Sequence, residues 1–275
     1  RSSDLEIKRT GNGFTVKTEQ ESFHEDKVIV ACGGMAGSKL GGVKDGYTLL
    51  QSLGHSRTSL HPALVQLTTE TEYPKRLKGV RADAKLTLAS QRKTLVRTEG
   101  EVQFTEKGVS GPAVFDLSRA ASVSDEKLQL TLDFLRDYSI KDVFSMLMNR
   151  RERLPMLPAE ELLTGVLHNR LGRTILHYVN LDSKKTLHQV TDLELKEVAR
   201  ACKGFTLPVK GTEGFDSAQV TAGGVRCSEF DANTMESKMA PGLYACGEVL
   251  DVDGDCGGFN LQWAWASGRL AGRLL

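Results

Sequence analysis

Two carboxylates, Glu248 and Asp251, stand where a short apolar run gives way to a glycine-rich loop. The segment reads Pro241-Gly-Leu-Tyr-Ala-Cys-Gly247-Glu248-Val-Leu-Asp251-Val-Asp-Gly254-Asp-Cys-Gly257-Gly258-Phe-Asn260-Leu261-Gln262. In open α/β sheets, ligands bind beyond the carboxyl ends of the strands. An acid placed there accepts hydrogen bonds from sugar or polyol hydroxyls. Gly257 and Gly258 let backbone approach a ligand, and Asn260 is placed to cap the helix that follows. The start of that helix offers free N–H groups and a partial positive charge. The bland alternatives are a surface Glu, the usual fate of that residue, and a capped helix with no ligand.

The order of strand, acid, glycine loop and helix suits one end of a bound flavin. A reduced flavin carries negative charge near N1 and O2, and a helix N-terminus there would stabilise that form. A second candidate lies near the beginning, where the apolar run Val28-Ile-Val-Ala-Cys ends in Gly33-Gly34. It is either a ligand approach or an ordinary strand-to-loop turn. Ala264, Gly268 and Gly272 are four apart and share one helix face, which reads as close packing on a sheet. Thr105-Glu-Lys-Gly108-Val-Ser-Gly-Pro112 reads either as a turn or as hydroxyls lining a cleft. The six histidines show no metal-ligand spacing, and only His61, before Pro62, stands out as a proton-donor candidate. No Walker loop, GxSxG or HExxH occurs.

The elements that must hold these residues divide by period. Residues 5–9 and 14–18 flank Gly11-Asn12-Gly13, a hairpin signal, and 27–31 reads as a buried parallel strand. Residues 45–53 read as a helix closed by Gly54. Period-2 alternation over 80–88, 102–104 and 128–134 indicates antiparallel strands of a small barrel or sandwich. Residues 139–203 are helical in pattern. Pro158 reads as a helix start and Thr191-Asp-Leu-Glu194 as a capping box, with Gly204 as the stop. The α/β character returns after 217. The expected organisation is an α/β domain in two parts, 1–66 and 217–275. Between them come a β-barrel part over 67–138, a helical subdomain over 139–204 and a return strand over 205–216.

Bulk properties narrow the class. The chain has 275 residues, 40% apolar, with a formal charge of +1. It carries no basic stripe to argue for nucleic acid. No apolar run approaches the roughly 18 residues of a membrane span. Five cysteines, an odd number with no CxxC, fit a reducing cytoplasm better than a disulfide framework. The first residue is Arg1 rather than Met, which points to a start inside a longer reading frame or to processing. Oligomeric state is not legible.

Taken together, the chain resembles the BaiN-type, or aminoacetone-oxidase-like, FAD-dependent oxidoreductases. The resemblance rests on Gly223-Gly-Val225, Thr234-Met-Glu-Ser-Lys238, Pro241-Gly-Leu-Tyr244, Gly247-Glu248, Leu250-Asp251, Asp253-Gly254, Gly257-Gly258 and Asn260-Leu-Gln-Trp263. Looser matches are Ala31-Cys-Gly-Gly34, Gly46-Tyr47, Gly54-His55, Pro62-Ala-Leu64 and Gly108-Val-Ser-Gly-Pro112. It implies an α/β fold: a Rossmann-like FAD-binding domain, truncated at its N-terminus, interrupted by an inserted β-barrel plus helical subdomain. It also implies that Gly33 and Gly34 approach the adenosine–pyrophosphate side and that Glu248 holds the ribityl chain. Gly258, Asn260, Leu261 and Gln262 would line the isoalloxazine. Gly247, Asp251 and Gly257 complete the expected cofactor set.

Two departures accompany the resemblance. The family's GxGxxG unit has no counterpart in residues 1–30, and Thr105-Glu-Lys-Gly108 stands where members often have Thr-His-aromatic-Gly. The resemblance implies an FAD-dependent oxidoreductase acting on a small organic substrate, a conjugated ketone such as a dehydro bile acid or an amine. NAD(P)H or oxygen would be the second partner. FAD binding is expected of the intact protein, with this chain binding it weakly or not at all; the alternative is a non-catalytic fragment that lacks the pyrophosphate-binding unit. A flavin-linked nucleic-acid modifier is disfavoured by the balanced charge.

Overall fold

The structure is a computed structural model and describes residues 5–273. The ends of the expected α/β parts, residues 1–4 and 274–275, lie outside the described residues. The chain divides into two units, one formed by Arg1–Val65 with Glu213–Leu275, the other by Gln66–Thr212.

The first unit opens with β1 (Glu6–Thr10), β2 (Gly13–Lys17) and β3 (Ser22–Glu25), a three-stranded antiparallel sheet. Gly11 turns the β1–β2 hairpin at φ 61°, a left-handed conformation that glycine adopts without a Cβ clash. Next come β4 (Val28–Val30), α1 (Asp45–Ser52) and β5 (His61–Ala63).

The second unit contains β6 (Leu67–Thr69), α2 (Glu72–Leu77), β7 (Arg81–Ser90), β8 (Thr94–Phe104) and β9 (Gly108–Ser110). It continues with α3 (Pro112–Val123), β10 (Leu128–Asp133), α4 (Ile140–Arg153), α5 (Asn169–Tyr178), α6 (Asp192–Lys203) and β11 (Phe205–Thr212). Its six strands close into a barrel in the order β10-β11-β6-β9-β8-β7. The alternating apolar residues meet across the ladders: Leu86 with Leu132, Leu88 with Leu130, Leu130 with Leu207, and Leu132 with Phe205. Each pair buries its side chains on the inner face, so a one-residue slip would turn the whole set outward. Residues Ala113, Val114, Leu117 and Ala121 of α3 join the same core, which extends unbroken into α4, α5 and α6.

Caps define the helices. Ser139 opens α4 and Thr191 opens α6, each in a reciprocal capping box, with Asp142 and Glu194 as the acids. The expected helix start at Pro158 is corrected. Residues Ala159–Glu161 form one 3-10 turn, and Gly165 at φ 81° interrupts the path. The α-helix begins only at Asn169, capped by His168 Nδ1 accepting from Arg170 N–H at 3.2 Å.

The chain then returns to the first unit with β12 (Val220–Ala222), β13 (Leu243–Ala245) and α7 (Phe259–Ala271). β12 pairs antiparallel with β5, and β13 pairs parallel with β4. Leu50, Val225, Leu243, Tyr244, Ala245 and Val249 are among the buried residues of this unit's own core. No helix among the described residues is long and apolar enough to cross a membrane.

Candidate functional site

The parallel pairing of β4 with β13 places two chain exits at one edge. Val30 is opposite Ala245, and Cys246 N–H donates to Val30 O at 3.1 Å. Residues 31–34 and 246–248 therefore leave the sheet side by side. Gly33 (φ 72°) and Gly247 (φ 75°) make the turns. α7 holds the second exit: Gly247 N–H donates to Ser267 Oγ at 2.9 Å, and Trp263 Nε1 donates to Gly247 O at 3.1 Å. The small-residue face of α7 permits that approach, since Ala264 faces Gly247 and Gly268 faces the Cys246 sulfur. Gly272 ends the helix as its C-cap instead of packing within it.

At Gly34 three functional groups converge. A Cβ there would fall on Glu248 Oε1 and lie 2.7 Å from Thr221 Oγ1 and 2.8 Å from Tyr47 Oη. The missing side chain is thus space taken by the protein's own polar groups. Thr221 ties the cluster together. Its hydroxyl accepts from Met35 N–H and Ala36 N–H, both at 2.9 Å, and its backbone N–H donates to Glu248 Oε1 at 3.1 Å. Tyr47 is 2% exposed, and its Oη is enclosed without a hydrogen-bond partner. α1 comes this close because Gly46 lies directly on the Cys32 sulfur.

Electrostatics follow from the enclosure. Burial pushes the Glu248 carboxyl above the ordinary carboxylate range, opposed by its hydrogen bonds from Thr221. Burial also raises the Tyr47 phenol, and the Glu248 charge raises it further. Sequence reasoning selected Gly34 and Glu248 but assigned no role to Tyr47 or Thr221. No short-range signal marks Thr221, which lies 186 residues from Met35.

The remaining expected residues sit in two groups. Asp251 is tied down: Thr58 Oγ1 donates to its Oδ2 at 3.0 Å, and its N–H donates to Val225 O at 2.8 Å. Gly224 leaves room for this, because a Cβ there would lie 2.7 Å from Asp251 N. The second group is the start of α7. Asn260 as N-cap is corrected: Gly258, at φ 92°, is the N-cap, and no side chain caps the helix. Asn260 lies in the first turn and closes the loop, its Oδ1 accepting from Gly254 N–H and its Nδ2 donating to Gly254 O, both at 2.9 Å. Glycine wins the cap because the chain turns there through a left-handed conformation that Asn adopts less readily. The helical ladder starts with Gln262 N–H on Gly258 O, so the N–H groups of 259–261 precede it. Leu261 and Gln262 are exposed on this turn, as are Phe259 and Trp265.

One array resembles a hydrolytic triad. His55 lies between Glu229 and Ser237, with Nδ1 to Glu229 Oε2 at 2.8 Å and Nε2 to Ser237 Oγ at 2.9 Å, and it stacks on Phe230 at 4.6 Å. Ser237 Oγ also accepts from Met239 N–H at 3.1 Å and Ala240 N–H at 2.9 Å. Both lone pairs are then occupied, so the hydroxyl must donate to His55 and has none left for attack. The array pins the 229–240 loop to the segment after α1. His61, the expected proton donor, lies half-buried on β5 opposite Ala222. The cysteines are free thiols, and no group of three potential metal ligands occurs among the described residues.

The chain is 38% identical over 270 residues to the 3-dehydro-bile acid delta(4,6)-reductase of Clostridium scindens, covering 97% of the chain and 66% of that relative. It is 28% identical over 275 residues to the ribosomal RNA dihydrouridine synthase of Escherichia coli, covering 97% of the chain and 65% of the relative. The protein of that name from Haemophilus influenzae is 26% identical over 273 residues, with the same two coverages. The chain therefore spans slightly under two thirds of the length of these relatives. The family described as the HI0933-like protein Rossmann domain matches residues 1–274, and the chain belongs to that family.

Proposed function

We propose that this chain carries a flavin-binding unit of a reductase that saturates a carbon–carbon double bond conjugated to a carbonyl. The observation that carries the flavin part is the convergence of Glu248, Thr221 and Tyr47 over Gly34 at the ends of two parallel strands. Those residues fit a polyol: a carboxylate with acceptor positions to spare, beside an enclosed hydroxyl that lacks a partner. Glu248 would hold the ribityl hydroxyls of FAD. The exposed first turn of α7, with Gly257, Gly258, Leu261 and Gln262, would meet the ring. When bound, FAD supplies the two-electron chemistry of hydride transfer.

The relatives' names support the reaction class. A 3-oxo steroid with 4,6 double bonds and the uracil ring both contain a C=C bond conjugated to a C=O group. Reducing either adds hydride to the carbon remote from the carbonyl and a proton to the nearer carbon. This favours reduction over the amine oxidation also expected from the sequence. NAD(P)H would replenish the electrons. We place a small conjugated ketone first, on the 38% relative, and a uracil base second, on the two dihydrouridine synthases.

Titrating the purified chain with FAD and following flavin fluorescence tests the cofactor. Saturable quenching that Glu248→Gln weakens is expected. No saturable change would sink the flavin reading and favour the non-catalytic alternative. Anaerobic reoxidation of pre-reduced FAD on the protein, with a 3-oxo-4,6-diene steroid or a uridine-containing oligonucleotide as oxidant, separates the two substrates.

A further inference from the structure

The hydrogen-bond count over Gly34 leaves two protons to place. Thr221 Oγ1 already accepts two backbone N–H groups, so its own proton must be donated. The groups beside it are Tyr47 Oη and the Glu248 carboxylate. Tyr47 Oη is enclosed and makes no hydrogen bond, so its proton is unspent. An enclosed hydroxyl without a partner is costly and calls for a reason. Glu248 is half-buried, with one oxygen taken by Thr221 N–H.

We propose that Tyr47 and Thr221 are positioning residues for Glu248: when charged, its carboxylate draws in against their two hydroxyls over Gly34, leaving its outer side to a hydroxyl-rich ligand. The assignment of that ligand rests on the flavin reading above; the clamp itself does not. The inner donors keep a desolvated carboxyl charged, and a charged carboxylate is what ligand hydroxyls donate to. Other titratable or charged groups facing the cluster are Cys32 beyond β4 and Arg57 beyond α1, while Asp45 and Cys246 act on Cys32. Burial raises both thiols, which keeps them neutral.

The test is a pH series on the full 275-residue chain. Flavin affinity should fall as pH drops through the raised Glu248 midpoint. Tyr47→Phe should move that midpoint up by about one pH unit, as loss of one hydrogen bond to a charged group predicts. The variant then binds FAD about tenfold more weakly below both midpoints and equally well above them. General structural damage would weaken binding at every pH. Glu248→Gln should abolish the pH dependence. Thr221→Val should raise the midpoint and Thr221→Ser restore it. A flavin-free readout is the 13C carboxyl titration of Glu248, identified by its loss in Glu248→Gln. If Tyr47→Phe raises that midpoint while no FAD binds, the clamp stands and the flavin reading fails. If FAD binds and the midpoint does not move, the clamp is overturned, and an enclosed water alone satisfies Tyr47.

Discussion

The barrel unit and the α/β unit hold their backbones by different means. In Gln66–Thr212 long strands pair residue by residue, and apolar partners such as Leu88 and Leu130 meet across each ladder. Around the candidate site, β4, β5, β12 and β13 are three residues each. Their exits are held by side chain to backbone bonds between distant segments: Thr221 to Met35, Thr58 to Gly224, Glu229 to Ser56. Among the described residues, no buried side-chain polar atom of the barrel strands lacks a hydrogen-bond partner. The irregular exits bring together a carboxylate, two hydroxyls and several glycines, with one hydroxyl still unpaired. That contrast is the basis for proposing the irregular exits, and not the barrel, as the ligand site.

Substitutions can sharpen or break that contrast. The largest effect is expected in the barrel, where Leu130→Ala should cost about 3 kcal/mol, measured by urea unfolding. Its side chain is fully buried and paired on both sides. A value near zero would mean the barrel core is not what holds that unit.

Gly34→Ala comes next, at about 2 kcal/mol, because its Cβ would collide with three polar groups. Amide exchange should locate the loss around 28–36, 220–222 and 246–249. Gly33→Ala is the control. It meets nothing within 4 Å, so only the left-handed conformation is penalised, by about 1 kcal/mol. Equal losses at both positions would argue against the packed cluster.

Thr191→Ala should cost about 1 kcal/mol by removing the α6 capping box, with helical circular dichroism and unfolding as readouts. The smallest change should be stabilising. The folded chain holds the Glu248 proton more tightly than the unfolded chain, since burial raises its carboxyl. Stability therefore falls as pH rises from the ordinary carboxylate value through the raised one, and stays lower above it. Glu248→Gln should raise the melting temperature by about 2 °C at pH 7 and have no effect at pH 3. Stabilisation paired with lost ligand binding would mark Glu248 as kept for function.

Regular periods were legible in the sequence. Alternation at 80–88 and 128–134 became β7 and β10, and Thr191 with Glu194 became the cap of α6. The turn at 11–13 and the parallel strand within 27–31 were legible from glycine and β-branched residues, but the strand's expected burial is corrected: Ile29 is exposed and only Val30 of β4 is buried. Irregular backbone was not legible. Pro158 leads into one 3-10 turn, because Gly165 breaks the apolar stripe before a helix can grow. α3 passed unread behind a weak turn signal at Gly111-Pro112. Asn260 carries a capping side chain, yet Gly258 takes the cap and Asn260 closes the loop instead.

The sequence by itself determined the period of each regular element and put an acid and paired glycines at the ends of two apolar strands. Both are local properties, set by propensity and by which face must be buried. Only the tertiary structure decided what surrounds that acid. Parallel pairing of β4 with β13 aligned Gly34 with Glu248, and packing of α1 and β12 delivered Tyr47 and Thr221. Residues far apart in the chain carry no signal of one another until the core closes. The burial that then unites them also takes the Tyr47 hydroxyl out of bulk solvent.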